Sequence, residues 1–295
     1  MPRSGRWVLE YFLFILAGIV AVVVPLTLIR PFGRMLGGVL HVFARKRRKI
    51  ARRNTRLVYG HERKDLVRTS FGNIGITVVE MLRILGGRRD LIEHVDFEGM
   101  EHLFNARAAG RPTIVITGHM GNWELFANAA ALKGCLNGLV ARRLDNPYLN
   151  RFSERLRGKY GNTVIYKRGA LKGALRSLSG FRNVVIMIDQ GVRKPEGVLT
   201  AFLGRNAYTT KMPALLALKT GAAVFCGTIR RTPRGHLAMV GPQLPLIRTG
   251  NSDLDIELNT ALYAAQLEER IASHPEEWLW IHNRWKRVPE NEEVP

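Results

Sequence analysis

Two cysteines in 295 residues, Cys135 and Cys226, leave nothing from which to build a disulfide framework or a cysteine-rich zinc site. The chain also has no Gly-x4-Gly-Lys-Ser/Thr phosphate loop, no Gly-x-Gly-x-x-Gly fingerprint and no zinc motif, which sets aside the ordinary nucleotide and metal designs. The absence of a Gly-x-Ser-x-Gly elbow disfavours a serine lipid hydrolase. Acidic residues are scarce: 24 Asp and Glu face 45 Lys and Arg, for a formal charge of +21 and a pI near 10.9. Such a surface favours anionic partners, whether nucleic acid, a membrane, a phosphorylated lipid or an acidic carrier protein. No nucleic-acid recognition module is present, and the basic residues are not interleaved with aromatics as a stacking platform. A membrane-tethered basic nucleic-acid or regulatory binding protein is therefore the alternative class, not the leading one.

What the chain does have is a long run without charge. Tyr11 to Ile29 covers 19 residues, which as a helix spans about 28 Å, close to a bilayer's hydrocarbon thickness. Residues 1–34 read as an N-terminal membrane anchor and 35–295 as one catalytic domain, with no internal repeat, low-complexity tract or second globular unit. Trp7 and Tyr11 suit one interface, Arg30, Arg34 and the basic cluster at 45–53 the other. The Lys/Arg load after the segment predicts a catalytic domain on the cytoplasmic side. Arg3, Arg6 and Pro25 leave room for a shallower, monotopic insertion. A cleaved signal peptide fits poorly, since the apolar run is too long and Arg30-Pro31 follows it without a small-residue cleavage site.

Beyond the basic stretch at 30–60, a helix is expected up to Leu85, stopped by Gly86-Gly87, with Glu80 as a surface carboxylate. Short β-branched runs then alternate with helical stretches at 113–117, 138–141, 163–166, 184–188 and 222–229. Such alternation predicts an α/β fold with a mainly parallel or mixed central sheet flanked by helices. Ligands of such sheets gather at the strands' carboxyl ends, where His119, Arg142 and Asp189 follow three of these runs. Arg142 suits a phosphate or a structural salt bridge. Asp189, a charge ending a buried strand, needs a partner, either a site Arg or Lys or the next turn's amides. Tyr263, Leu267 and Ile271 mark the core face of a helix.

The most informative string is Gly118-His119-Met120-Gly121-Asn122-Trp123-Glu124. In one continuous helix, His119 and Glu124 would lie roughly 140° apart and never meet. With His119 in a strand-to-helix turn and Glu124 on the first helical turn, the two converge, and Gly118 and Gly121 permit such a turn. A carboxylate beside imidazole fixes its tautomer, so His119 becomes a general base toward a hydroxyl with Glu124 as its orienting partner. Backbone amides after Gly121 could receive an oxyanion. Thr209 and Thr210 read as caps of the helix that follows Lys211, and Trp278, Trp280 and Trp285 as core or acyl-pocket residues without an assigned role.

This string resembles the His-x4-Asp/Glu signature of glycerolipid acyltransferases, and within them the late lipid A acyltransferases, the lauroyl and myristoyl transferases. The resemblance continues through the basic run Arg45 to Asn54, the Arg142-Arg143-Leu144-Asp145-Asn146-Pro147 turn, Asp189-Gln190, Phe202-Leu203-Gly204-Arg205-Asn206-Ala207 and the closing Trp278 to Lys286. It implies a glycerolipid acyltransferase-like fold and acyl transfer at the bacterial inner membrane. The donor would be acyl carrier protein or coenzyme A as a thioester co-substrate, without cofactor or metal. The acceptor would be a hydroxyl of an anionic glycolipid, a Kdo-bearing lipid A precursor or, by the same motif grammar, a phosphatidylinositol mannoside. It further implies Arg157 and Asp189 as catalytic companions of His119 and Glu124, with Arg142, Gln190, Gly204 and Lys211 on substrate.

Overall fold

The uncharged run from Tyr11 to Ile29 folds as parts of two helices. The protein's computed structural model describes residues 3–288; α1 (Arg3–Val23) stops short of Pro25, and α2 (Leu26–Phe43) takes that proline as its N-cap. Proline has no N–H to continue the ladder, and its ring collides with the carbonyl four residues back. The break is then secured by Arg83, whose buried guanidinium donates to the Ala21 and Val24 carbonyls at 2.9 and 2.6 Å and pairs with Asp90. A cation at a helix C-terminus satisfies carbonyls that have no intrahelical donor. Among the described residues no helix is long and apolar enough to cross a membrane, which corrects the expectation of a spanning segment. Residue 34, where the anchor was expected to end, lies inside α2.

The basic cluster forms α3 (Arg45–Tyr59), and α4 (Lys64–Leu85) ends at Gly86 as the sequence suggests. Helix α2 lies along α4 at backbone distance. A Cβ on Gly75 would stand 2.1 Å from the Gly33 carbonyl oxygen, and one on Gly37 2.2 Å from that of Phe71, so only glycine admits this approach. The opposite side of α4 is not the solvent face expected for Glu80. That carboxylate is 1% exposed, because β-strand residues Arg231 and His236 close over it.

The remaining chain runs α5 (Asp90–Glu93), β1 (Val95–Glu98), α6 (Met100–Ala108), β2 (Thr113–Thr117), α7 (Trp123–Leu132), β3 (Asn137–Ala141), α8 (Pro147–Gly158), β4 (Thr163–Tyr166), α9 (Ala170–Ser179), β5 (Asn183–Met187), β6 (Gly197–Phe202), β7 (Arg205–Thr210), α10 (Met212–Thr220), β8 (Ala223–Thr232), β9 (Gly235–Leu244) and α11 (Ser252–Ser273). Seven strands form one mixed sheet in the order β1-β9-β8-β2-β5-β3-β4, parallel throughout except for the antiparallel β8–β9 pair. All five apolar runs read from the sequence are strands of it. Alternation of side chains puts Ile114, Ile116, Val184, Ile186 and Val224 on the face covered by α9, α10 and α11, where Tyr263, Leu267 and Ile271 pack as expected. Val115 and Phe225 point the other way, against Leu125 and Phe126 of α7 and Leu103 of α6. A separate β6–β7 hairpin turns at Leu203 and Gly204, both with positive φ of 52° and 70°, the backbone twist that two-residue hairpin turns require.

Candidate active site

Strand adjacency builds the site. β2 and β5 are parallel neighbours with Thr117 opposite Met187, and the Ile188 amide donates to the Thr117 carbonyl at 2.9 Å. Two residues further on, His119 and Asp189 therefore face each other. The ring Nδ1 of His119 lies 2.9 Å from Asp189 Oδ1, while Oδ2 accepts the His119 backbone N–H and the Trp278 indole N–H, each at 2.9 Å. Burial alone would raise the Asp189 carboxyl. The His119 imidazole and the hydrogen bonds converging on the carboxylate outweigh it and hold the group far below the usual range. An ionised Asp189 draws the ring proton to Nδ1, which leaves Nε2 as a base. The amide Nε2 of Gln190 lies 3.2 Å from that nitrogen.

This corrects the expected His119–Glu124 pair. Gly121, at φ 56° and packed on the Ile229 carbonyl, turns the loop so that α7 starts at Trp123 with Asn122 as N-cap. Glu124 then faces α8, where Arg157 grips it through Nε at 3.1 Å to both oxygens and through Nη2 at 2.5 Å to Oε1. Glu124 and Arg157 are a largely buried fork on the same cavity as His119. Asp189 was expected to anchor a site Arg or Lys or to cap the turn that follows it, and it holds instead the imidazole and the backbone N–H of His119. The nearby Arg284, fully buried, donates to the Ile188 carbonyl and to Thr209 Oγ1. Thr209 is thus an anchor for Arg284 rather than a helix cap, and only Thr210 receives the Met212 amide, at 3.4 Å.

A cavity of about 820 Å3 joins these groups. His119, Trp123, Glu124, Arg157 and Gln190 line it, together with an apolar wall of Leu103, Val115, Phe126, Ala130, Leu139 and Val185. Arg142, Lys167, Lys211, Lys286 and Arg287 line it too, and of these Arg142, Lys167, Lys286 and Arg287 are solvent-exposed, which makes a cationic rim. Arg142 also reaches Asp145 at 3.3 Å, a solvated pair of little energetic weight. Gly204 does not join: it sits at the hairpin tip and is absent from the cavity lining. An enclosed apolar wall with a charged rim suits a molecule that is a chain at one end and an anion at the other.

Sequence reasoning missed the closing segment's part. After α11 the chain returns across the carboxyl edge of the sheet, with Met120 and Trp278 in an antiparallel bridge. Leu279 N–H donates to the His119 carbonyl and Gly121 N–H to the Glu277 carbonyl, each at 3.0 Å. The three tryptophans are buried, Trp278 meeting Trp280 and Trp285 edge to face, and of the three Trp278 alone bonds Asp189. His282, also on the cavity, was passed over, although its place between two tryptophans and a buried arginine was the available signal. Burial draws its pKa from 6.5 to about 4. The unfolded chain therefore binds this proton first, and the folded state loses stability as pH falls from about 6.5 toward 4. In urea titrations across that window, His282→Asn is expected to show a smaller acid loss than the parent, and identical slopes for the two would refute the assignment.

Comparison with known proteins agrees with the geometry. The sequence profile described as bacterial lipid A biosynthesis acyltransferase matches residues 3–287. The chain is 27% identical over 278 residues to the lipid A biosynthesis lauroyltransferase of Escherichia coli K12, covering 90% of this chain and 88% of that protein. It is 25% identical over 268 residues to the palmitoleoyltransferase of the same organism, covering 88% and 85%. A phosphatidylinositol mannoside acyltransferase of Mycolicibacterium smegmatis is 26% identical over 228 residues, covering 75% and 72%. A profile match over nearly the whole chain makes this protein a member of the bacterial lipid A biosynthesis acyltransferase family.

Proposed function

We propose that this acyltransferase moves a fatty acyl chain from a thioester of acyl carrier protein or coenzyme A to a hydroxyl of an anionic glycolipid, with a Kdo-bearing lipid A precursor as the acceptor. The observation that carries the reading is a His119 ring held by buried Asp189 on a cavity that is apolar on one wall and cationic at its rim. Nε2 of His119 takes the acceptor's proton as its oxygen attacks the thioester carbonyl. The tetrahedral oxyanion collapses, the C–S bond breaks, and the proton passes from Nε2 to the departing thiolate. Trp123 and Glu124 amides, which have no intrahelical acceptor in the first turn, and Arg157 supply donors for the oxyanion. The acyl tail lies along Leu103, Phe126 and Leu139, and Arg142, Lys211 and Lys286 meet phosphates.

The same reading seats the protein on the cytoplasmic face of the bacterial inner membrane without a spanning helix. Phe12, Ile19 and Val23 of α1 and Met35, Val42 and Phe43 of α2 are exposed apolar side chains, and α3 follows with Arg45, Lys46, Arg47, Arg48 and Lys49. Apolar insertion combined with basic attraction is the pattern of an interfacial helix on anionic lipid. The likeness to a phosphatidylinositol mannoside acyltransferase supports a second acceptor class.

The test offers carrier-protein and coenzyme A thioesters to purified protein in lipid nanodiscs, with either a Kdo-lipid A precursor or phosphatidylinositol mannosides, and resolves the products by mass. Acylated lipid A precursor, absent with His119→Ala, is the expected result. Transfer to the mannosides alone would replace the acceptor, and transfer surviving in His119→Ala would remove the base.

A further inference from the structure

A buried ionic cluster behind the His119 loop has no part in the chemistry above. Glu80 of α4 accepts the Asn122 side-chain amide at 2.9 Å and Arg231 Nη2 at 3.0 Å on Oε2, while His236 Nε2 stands 3.1 Å from Oε1. Arg231, on β8, also donates to Thr77 Oγ1 at 2.7 Å and to Glu277 Oε2 at 2.9 Å. Both of those neighbours hold Gly121: the Thr77 hydroxyl donates to its carbonyl at 3.3 Å, and the Glu277 carbonyl accepts its N–H at 3.0 Å. Gly121 and Asn122, the two residues that end the His119 loop, are thus fastened from both sides to one carboxylate–guanidinium pair.

Such a cluster is poor value for stability alone, since a buried ion pair is often matched by apolar residues of the same shape. Its directional bonds do something that packing does not, because they set where the loop backbone lies. We propose that Glu80 is a positioning residue for His119, acting through Asn122 and through Arg231. The inference rests on His119 as the base of the proposed transfer. Ser70 and Asn73 extend the same face of α4 to the returning segment, bonding the Trp278 and Glu276 carbonyls at 3.1 and 2.7 Å. Asn122 does double duty, since its side-chain oxygen caps the Leu125 amide while its nitrogen reaches Glu80.

The experiment compares Asn122→Ser, Glu80→Gln, and Glu80→Gln combined with Asn122→Asp, in full-length protein in nanodiscs. Serine retains a helix cap but loses the donor to Glu80, whereas the combined change reverses the hydrogen bond and keeps one negative charge. Hydrogen–deuterium exchange of the 118–126 peptide reads the loop directly, independent of any substrate. The expected result is exchange at the His119 and Gly121 amides about tenfold faster in each single variant, and kcat about 10- to 100-fold lower with donor KM unchanged. Both should return toward the parent in the combined variant. If Glu80→Gln does not fold, Asn122→Ser decides, because it leaves the buried charges paired. Unchanged loop exchange in Asn122→Ser would overturn the proposal whatever the transfer assay shows, as would a fall in kcat that the combined change does not reverse. A parent protein without transfer would sink the proposed reaction and still leave the exchange comparison to judge the positioning.

Discussion

Asp189→Asn is expected to lower acyl transfer about 10^4-fold, as much as removing the imidazole itself, while leaving the fold nearly intact. The reason lies in which oxygen does what. Oδ2 accepts two N–H donors, from the His119 backbone and the Trp278 indole, so an asparagine must put its single oxygen there. Its NH2 then faces His119 Nδ1 and donates to it. The ring answers by carrying its proton on Nε2, the nitrogen that must be bare to take a proton from a hydroxyl. Rates in the parent and the variant, measured with thioester in excess, check this. Transfer within tenfold of the parent would mean that Asp189 does not set the tautomer.

Glu124→Ala is expected to destabilise the protein by about 3–5 kcal/mol, the range for stranding one partner of a buried ion pair. Arg157 loses three hydrogen bonds at once and keeps a guanidinium with little access to water. Replacing both residues by methionine removes the stranded charge, and thermal unfolding of that double variant is expected close to the parent's. Transfer should be lost in both, because in the proposed reaction Arg157 is a donor for the oxyanion, left without its anchor in the first variant and absent from the second. A double variant that is as unstable as Glu124→Ala would assign the loss to packing, and one that is stable and active would remove the fork from the reaction.

Much of this arrangement was legible from residue order, and the limits are specific. The runs at 113–117 and 184–188 became strands because β-branched residues buried on both faces have few other places to go. His119 and Asp189 were each recognisable as a polar residue at a strand's carboxyl end. Their pairing was not, since it depends on β5 inserting beside β2 rather than beside another strand, and spacing along the chain does not encode that order. Glu124 was assigned to the imidazole because five residues of separation favour a local partner. The fork from Arg157, 33 positions away, is a tertiary fact. Glu80 looked like a surface carboxylate for the same reason, as Arg231 and His236 lie far along the chain. At the amino end, hydropathy alone suggested one long helix, and the proline within it was the better guide.

The bridge between Met120 and Trp278 orders events during synthesis. β2, α7 and β5 leave the ribosome long before residues 274–288, so the sheet can assemble while the indole that completes the Asp189 carboxylate is still untranslated. Until then the His119 carbonyl lacks the Leu279 amide that binds it. The Asp189 carboxylate and the His119 carbonyl therefore find their last partners only when residues 277–280 are laid across the sheet edge.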